Sequence, residues 1–181
     1  MELSDSTKQF ILHWGEMGTR WGVNRTVAQV HALLYLSPEA LTAEDIAETL
    51  SVARSNVSTS LKELQNWNLV QMDSRMGDRR DFFHTSADVW VLFLTVIEQR
   101  VEREIIPTLT MLRRCAAEAQ SERPAQPVIL ARITAMQVFL EDLYGWYNQI
   151  KKLPPASLRS LMNIGAGITR ILPKSRRRRL D

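Results

Sequence analysis

A mainly α-helical fold carrying one small β-hairpin is predicted by three features of the 181-residue sequence. Apolar residues recur at steps of three and four through most of the chain. The pattern shortens to strand-like runs only at Leu69 to Ser74 and Asp81 to Thr85. A charged, glycine-containing tip, Arg75 to Arg80, joins those two runs.

Each element follows from local chemistry. Ser4 or Asp5 caps a first helix whose apolar positions Phe10, Trp14, Met17 and Trp21 form one stripe. Gly22 closes it and Asn24 caps a second helix, Arg25 to Leu36, which is apolar around much of its circumference and so belongs at the centre of a core. After the Ser37-Pro38 break, Thr42 caps a short helix with Glu44 and Asp45 in its first turn, at the positive end of the helix dipole. The turn Ser51 to Ala53 leads to a further helix in which Val57, Leu61 and Leu64 face inward. The hairpin follows, and Thr85 or Ser86 caps a long helix with Val89, Leu92, Phe93, Val96 and Ile97 on one side, interrupted near Pro107 and fading before Pro124 and Pro127. The most regular stripe is Ile129, Ile133, Met136, Leu140, Leu143, Tyr147 and Ile150, a heptad pattern over three repeats. A last helix with Leu158, Leu161, Gly165 and Ile168 follows Pro154-Pro155 and precedes the basic tail KSRRRRL.

Helix, helix, short helix, turn, short helix, hairpin is the order of a winged helix-turn-helix, in which the second short helix enters the major groove of DNA. With Val57, Leu61 and Leu64 inward, Ser55, Thr59, Lys62 and Asn66 fall on the opposite face. The hydroxyls of Ser55, Ser58 and Thr59 and the Asn56 amide suit base edges, whereas Arg54 and Lys62 suit phosphate oxygens. Arg75, Arg79 and Arg80 at the hairpin tip are placed for phosphates or a narrow minor groove. The expected architecture is a winged helix-turn-helix domain with a small β-hairpin wing and flanking N- and C-terminal dimerisation helices. Its divisions are 1–23 (N-terminal helix, dimer or effector region), 24–86 (DNA-binding domain), 87–169 (helical dimerisation region) and 170–181 (basic tail).

The composition narrows the partners. The formal net charge is +3, but the segment from Arg170 onward holds six basic residues and one acid, leaving 17 basic and 19 acidic residues before it. Phosphate binding therefore has to rest on local patches. Single Cys115 excludes an internal disulfide, and His13, His31 and His84 lie too far apart for a metal site. No glycine-rich phosphate loop, nucleophile motif or ligand set points to an enzyme, and no cofactor is implied. The start MELSDSTKQF lacks a secretory pattern and no apolar run suggests a membrane span, so a cytoplasmic protein with no membrane partner is expected.

The stretch LHWGEMGTRWGVNRTVAQVHALLYLSPEALTAEDIAETLSVARSNVSTSLKELQNWNLV, followed by GDRRD, resembles the GbsR-type branch of the MarR-like bacterial regulators, and the likeness continues more loosely through VEREIIPTLTMLRRCAAEA. Arg54, Ser55, Asn56, Val57 and Ser58 stand where that family starts its recognition helix, and Asp78, Arg79 and Arg80 match its wing. The resemblance implies that Asp78 pairs with a wing arginine and holds it. Ala53 departs from the serine cap common in the wider family, a difference of about 1 kcal/mol. It also implies a homodimeric DNA-binding repressor acting on double-stranded DNA at a pseudo-palindromic operator, with choline or glycine betaine as effector in some members.

Three features carry two readings each. Trp14, Trp21, Tyr144 and Tyr147 are either core aromatics or a cage for a quaternary ammonium effector, held by cation–π attraction. The Ile129 to Ile150 stripe is a dimer seam or a helix packed on its own body. Arg176 to Arg179 is a solvated tail or an additional phosphate contact. A rival to sequence-specific binding is an architectural or protein-interaction module that keeps the winged shape without reading bases.

Overall fold

The computed structural model describes residues 3–121 and 126–168, with side chains at 155 and 165–168 left aside. The basic tail and Pro124, and the side chains of Gly165 and Ile168, lie outside the described residues. The chain divides into two compact units, 1–100 and 101–181.

In the first unit, α1 (Asp5–Arg20) is capped by the Ser4 hydroxyl, which accepts from the Thr7 N–H, and α2 (Arg25–Leu36) by Asn24 Oδ1, which accepts from the Thr26 N–H at 2.8 Å. The two helices pack closely because α1 presents glycine where they meet. A Cβ added at Gly18 would sit 2.5 Å from the Ala28 Cβ, well inside van der Waals contact. Helix α2 is the central element, with Val27, Ala28, Val30, His31, Ala32, Leu33 and Leu34 all buried. Around it gather Ile11 of α1, Ile46 of α3 (Ala43–Leu50), Val57, Leu61 and Leu64 of α4 (Arg54–Asn66), then Leu69, Val70 and Phe83. Burying such side chains supplies about 1.5–3 kcal/mol each and sets how α3 and α4 sit on α2.

Thr42 does more than cap. Its hydroxyl accepts from the Asp45 N–H while the Asp45 carboxylate accepts from the Thr42 N–H at 2.9 Å, a reciprocal capping box. Leu41–Thr42 is also a short strand, β1, which the sequence reading missed. It pairs antiparallel with β3 (Asp81–His84), and β3 pairs antiparallel with β2 (Gln71–Ser74), giving the order β1-β3-β2. Two residues are too few for a periodicity signal; only the approach of β3 makes them a strand.

The helix after the wing begins later than the sequence suggested. Asp88 Oδ1 accepts from the Trp90 N–H at 2.8 Å and starts α5 (Val89–Arg100), whereas Thr85 donates to the Leu69 carbonyl at 2.6 Å and closes the base of the hairpin.

In the second unit a π-helical turn, Val101–Ile105, precedes α6 (Ile106–Ser121). Pro107 has no N–H for the carbonyl four residues earlier, Arg103, and its ring crowds that oxygen; the wider turn relieves both. This is the interruption expected near Pro107. Helix α7 (Pro127–Ile150) packs on α6, with Arg113 donating to Glu141 Oε1 from Nε (2.9 Å) and Nη2 (2.8 Å). That hydrogen-bonded guanidinium holds the Glu141 carboxyl below its ordinary pKa. Helix α8 (Pro155–Ile168) follows the Pro154-Pro155 break.

Candidate nucleic-acid interface

The turn before α4 determines where that helix points. Ser51 takes a left-handed conformation (φ 54°) at the end of α3, and the Val52 N–H returns to the Ala47 carbonyl at 3.1 Å. The chain is extended at Ala53, whose carbonyl accepts the first helical bonds from Asn56 and Val57. Ala53 offers no side-chain cap. Inward, Val57, Leu61 and Leu64 are buried as the spacing predicted, and Ser60 joins them as a small residue at the packed edge. Outward, Arg54, Ser55, Asn56, Ser58, Thr59, Lys62 and Asn66 are exposed. Thr59 donates its hydroxyl to the Ser55 carbonyl at 3.0 Å, leaving its oxygen free to accept.

Beyond Asn68, another left-handed residue (φ 55°), the chain enters the wing. Gly77, at φ 84°, makes the tip turn that side chains with a Cβ resist. Asp78 then grips Arg80: its Oδ1 accepts from the Arg80 N–H (3.0 Å) and Nε (3.0 Å), and its Oδ2 from Nη2 (2.7 Å). These bonds pull the Asp78 carboxyl down to about 2, so the clamp stays charged across the working pH range. The same pair raises the Arg80 pKa, with Asp45 and Glu44 adding weaker attraction from α3.

Tertiary structure brings α4 and the wing together. A groove of ≈ 390 Å³ is lined by Arg54, Ser58 and Lys62 from α4, Arg79 and Arg80 from the wing, and Glu44 from α3 among others. Four cations thus face two acids, Glu44 and Asp81. Ser55, Asn56 and Thr59 lie on α4 outside the groove lining, and Arg75 stands over the Phe82 ring at 3.8 Å. From the sequence Glu44 was read only as a first-turn helix acid, and Phe82 was not singled out. Phe82-Phe83 held a signal: adjacent strand residues point to opposite faces, so one ring had to leave the core.

The aromatic set divides between the units. Trp14 is half-buried, stacked on Phe10 (5.4 Å, 12°) and edge-on to Trp21 (6.3 Å, 83°), whose own ring is exposed. Tyr144 is half-buried and Tyr147 buried in the second unit, where the Lys151 ammonium already lies 5.3 Å from the Tyr147 ring. Along the heptad stripe, Ile129, Met136 and Leu143 are exposed, Ile133, Leu140 and Ile150 half-buried and Tyr147 buried. The most exposed apolar side chains of α7 lie to one side of it: Val128, Phe139 (61%) and Trp146 (55%). Helical geometry puts these opposite Leu130, Thr134 and Gln137, which line the crease against α6.

No group of metal-ligating side chains and no helix long and apolar enough to cross a membrane is found among the described residues. Residues 21–81 match the model of the MarR family. The chain is 24% identical over 136 residues to the HTH-type transcriptional repressor GbsR of Bacillus subtilis (strain 168), covering 74% of this chain and 75% of that protein. A crystal structure of a transcriptional regulator superposes with a TM-score of 0.62 at 17% identity, covering 80% of this chain and 95% of the other, a likeness of fold. Residues 21–81 are therefore a MarR-family winged helix-turn-helix domain.

Proposed function

We propose that this chain is a homodimeric repressor that occupies a pseudo-palindromic operator, reading bases with α4 and holding phosphates or the minor groove with the wing. The observation that carries the reading is the groove in which Arg54, Ser58, Lys62, Arg79 and Arg80 converge. Helix α4 supplies few charges, so its exposed hydroxyls and the Asn56 amide select sequence while the flanking cations supply affinity. The similarity to a named repressor supports the direction of control.

A second copy is needed because one α4 covers one half-site, and the two half-sites of such an operator lie about one turn of DNA apart. The exposed face of α7 centred on Phe139 and Trp146, with Met136 and Leu143 at its border, is the surface we assign to that contact. A small effector, choline or glycine betaine by the family resemblance, releases the operator by binding one arrangement of the dimer better than the other. In the first unit, the exposed Trp21 ring beside Trp14 is the face such a cation would meet.

The test is selection of duplexes from a randomised library by the full chain. Enrichment of an inverted repeat is expected, and Arg54→Ala, Lys62→Ala and Arg79→Ala should each weaken binding and lower the log affinity against log salt slope by about one unit per protomer. Binding without enrichment of any sequence would favour the architectural reading. Tryptophan emission and duplex affinity both unchanged on adding choline and glycine betaine would remove those effectors.

A further inference from the structure

Phe82 lies in β3 beside Phe83, and the two rings serve opposite faces of the sheet. Phe83 belongs to the core cluster; Phe82 does not, yet it is only 6% exposed. The Arg75 guanidinium carbon lies 3.8 Å from the centre of the Phe82 ring and that of Arg80 lies 5.6 Å from it, both within cation–π range. These arginines flank the wing loop, one just after β2 and the other just before β3. The ring therefore lies beneath cations from both ends of the loop.

We propose that Phe82 is a positioning residue for DNA binding: its ring is a platform that orients Arg75, and to a lesser degree Arg80, toward the sugar–phosphate backbone. This rests on the DNA-binding reading above and assigns a device within it. Stacking uses the flat face of a guanidinium and leaves its in-plane N–H donors free. Arg80 commits Nε and Nη2 to Asp78, so Nη1 remains for an outside acceptor. For Arg75 no hydrogen bond to a described residue competes with one. A long side chain held in place by an uncharged ring loses less freedom on binding than one that sweeps through solvent. A carboxylate at position 82 would hold Arg75 too, but by occupying the donors that a phosphate needs.

The experiment uses the full chain and a duplex that the wild-type chain has enriched from a randomised library. Phe82→Leu is expected to weaken binding about tenfold and to lower the log–log salt slope by up to about one unit per protomer. Phe82→Tyr, which keeps the ring, should bind within about threefold of wild type. In an Arg75→Ala background the Leu substitution should cost less than half as many decades as in the wild type. Circular dichroism and thermal unfolding establish that each variant is folded; should Phe82→Leu fail to fold, Phe82→Met, unbranched and more adaptable in shape but likewise without a π face, takes its place in the cycle. The platform is overturned if the ringless variant binds as wild type, or if its loss is the same with and without Arg75. A wild-type chain that enriches and binds no duplex overturns the DNA-binding reading, and the platform with it.

Discussion

The two units of this chain differ in how far they bury their apolar side chains, although the first also exposes Trp21, Val89 and Phe93. In the first, Val30, Leu33, Ile46, Val57 and Leu61 come from three successive helices and are fully buried, so that α4 sits on a finished core. In the second, Leu109, Leu112, Ala119, Tyr147 and Leu158 are buried, while Val128, Met136, Val138, Phe139, Leu143, Trp146, Leu161, Met162 and Ile164 are exposed. On the proposed reading, a rigid core suits a helix that presents Arg54, Ser55 and Asn56 at fixed spacing to base pairs. An exposed apolar face suits a surface whose core is completed by a second copy.

The largest effect that could break this comparison is a cavity in the first unit. Leu61→Ala should cost about 2–5 kcal/mol, read as a lowered urea midpoint, because Leu61 is fully buried between α4 and its neighbours. A loss under about 1 kcal/mol would mean that this core yields easily and that α4 is not rigidly seated.

Next comes pH. Burial pushes the His31 pKa down from 6.5 to about 4, so the folded chain holds a neutral imidazole while the unfolded chain takes up a proton below about pH 6.5. The stability contribution is therefore complete above pH 6.5 and is lost as pH falls toward 4, by about 3 kcal/mol in all. Asp78, held near 2, keeps its charge through that window. Urea midpoints at pH 7 and pH 4.5 should converge in His31→Gln relative to wild type; an equal drop in both proteins would assign the acid sensitivity elsewhere.

A smaller effect sharpens the contrast from the other side. Phe139→Glu places a charge in the proposed contact face and should weaken self-association by at least about 30-fold, the loss of a central apolar anchor, without moving the unfolding midpoint of the first unit. Sedimentation at several concentrations reads the first part. Unchanged association would move the dimer surface away from this face of α7.

The smallest is local to α4. Ala53→Ser adds the missing side-chain cap and should raise stability by about 1 kcal/mol, seen as a higher thermal midpoint. No change would mean that the Ser51 to Ala53 turn already holds the helix start as firmly as a cap would.

Much of the first unit was legible because its signals are local. Asn24, Thr42 and the inward stripe Val57, Leu61, Leu64 specify helix starts and faces through neighbours a few residues away, and the bounds of α4 follow from them. The pairing of Asp78 with a wing arginine was implied by the family resemblance alone, and the structure gives Arg80, two residues away, as the partner. The start of α5 was misplaced because Ser86 and Asp88 are both competent caps, and Asp88 makes the bond to Trp90. On α7 the seven-residue repeat was real, but apolar residues surround so much of that helix that periodicity alone could not choose its free face.

By itself the sequence determined the helix order, the turn that launches α4, the tip glycine of the wing and which side chains α4 turns outward, since each depends on backbone preference and spacing along one element. Tertiary structure alone decided that Leu41–Thr42 becomes a strand, that Arg54 and Lys62 share a groove with Arg79 and Arg80, that Arg75 stacks on Phe82, and which side of α7 stays bare. Those outcomes join residues far apart in the chain, and their reward comes only after the loops between them have closed, so no local pattern records them.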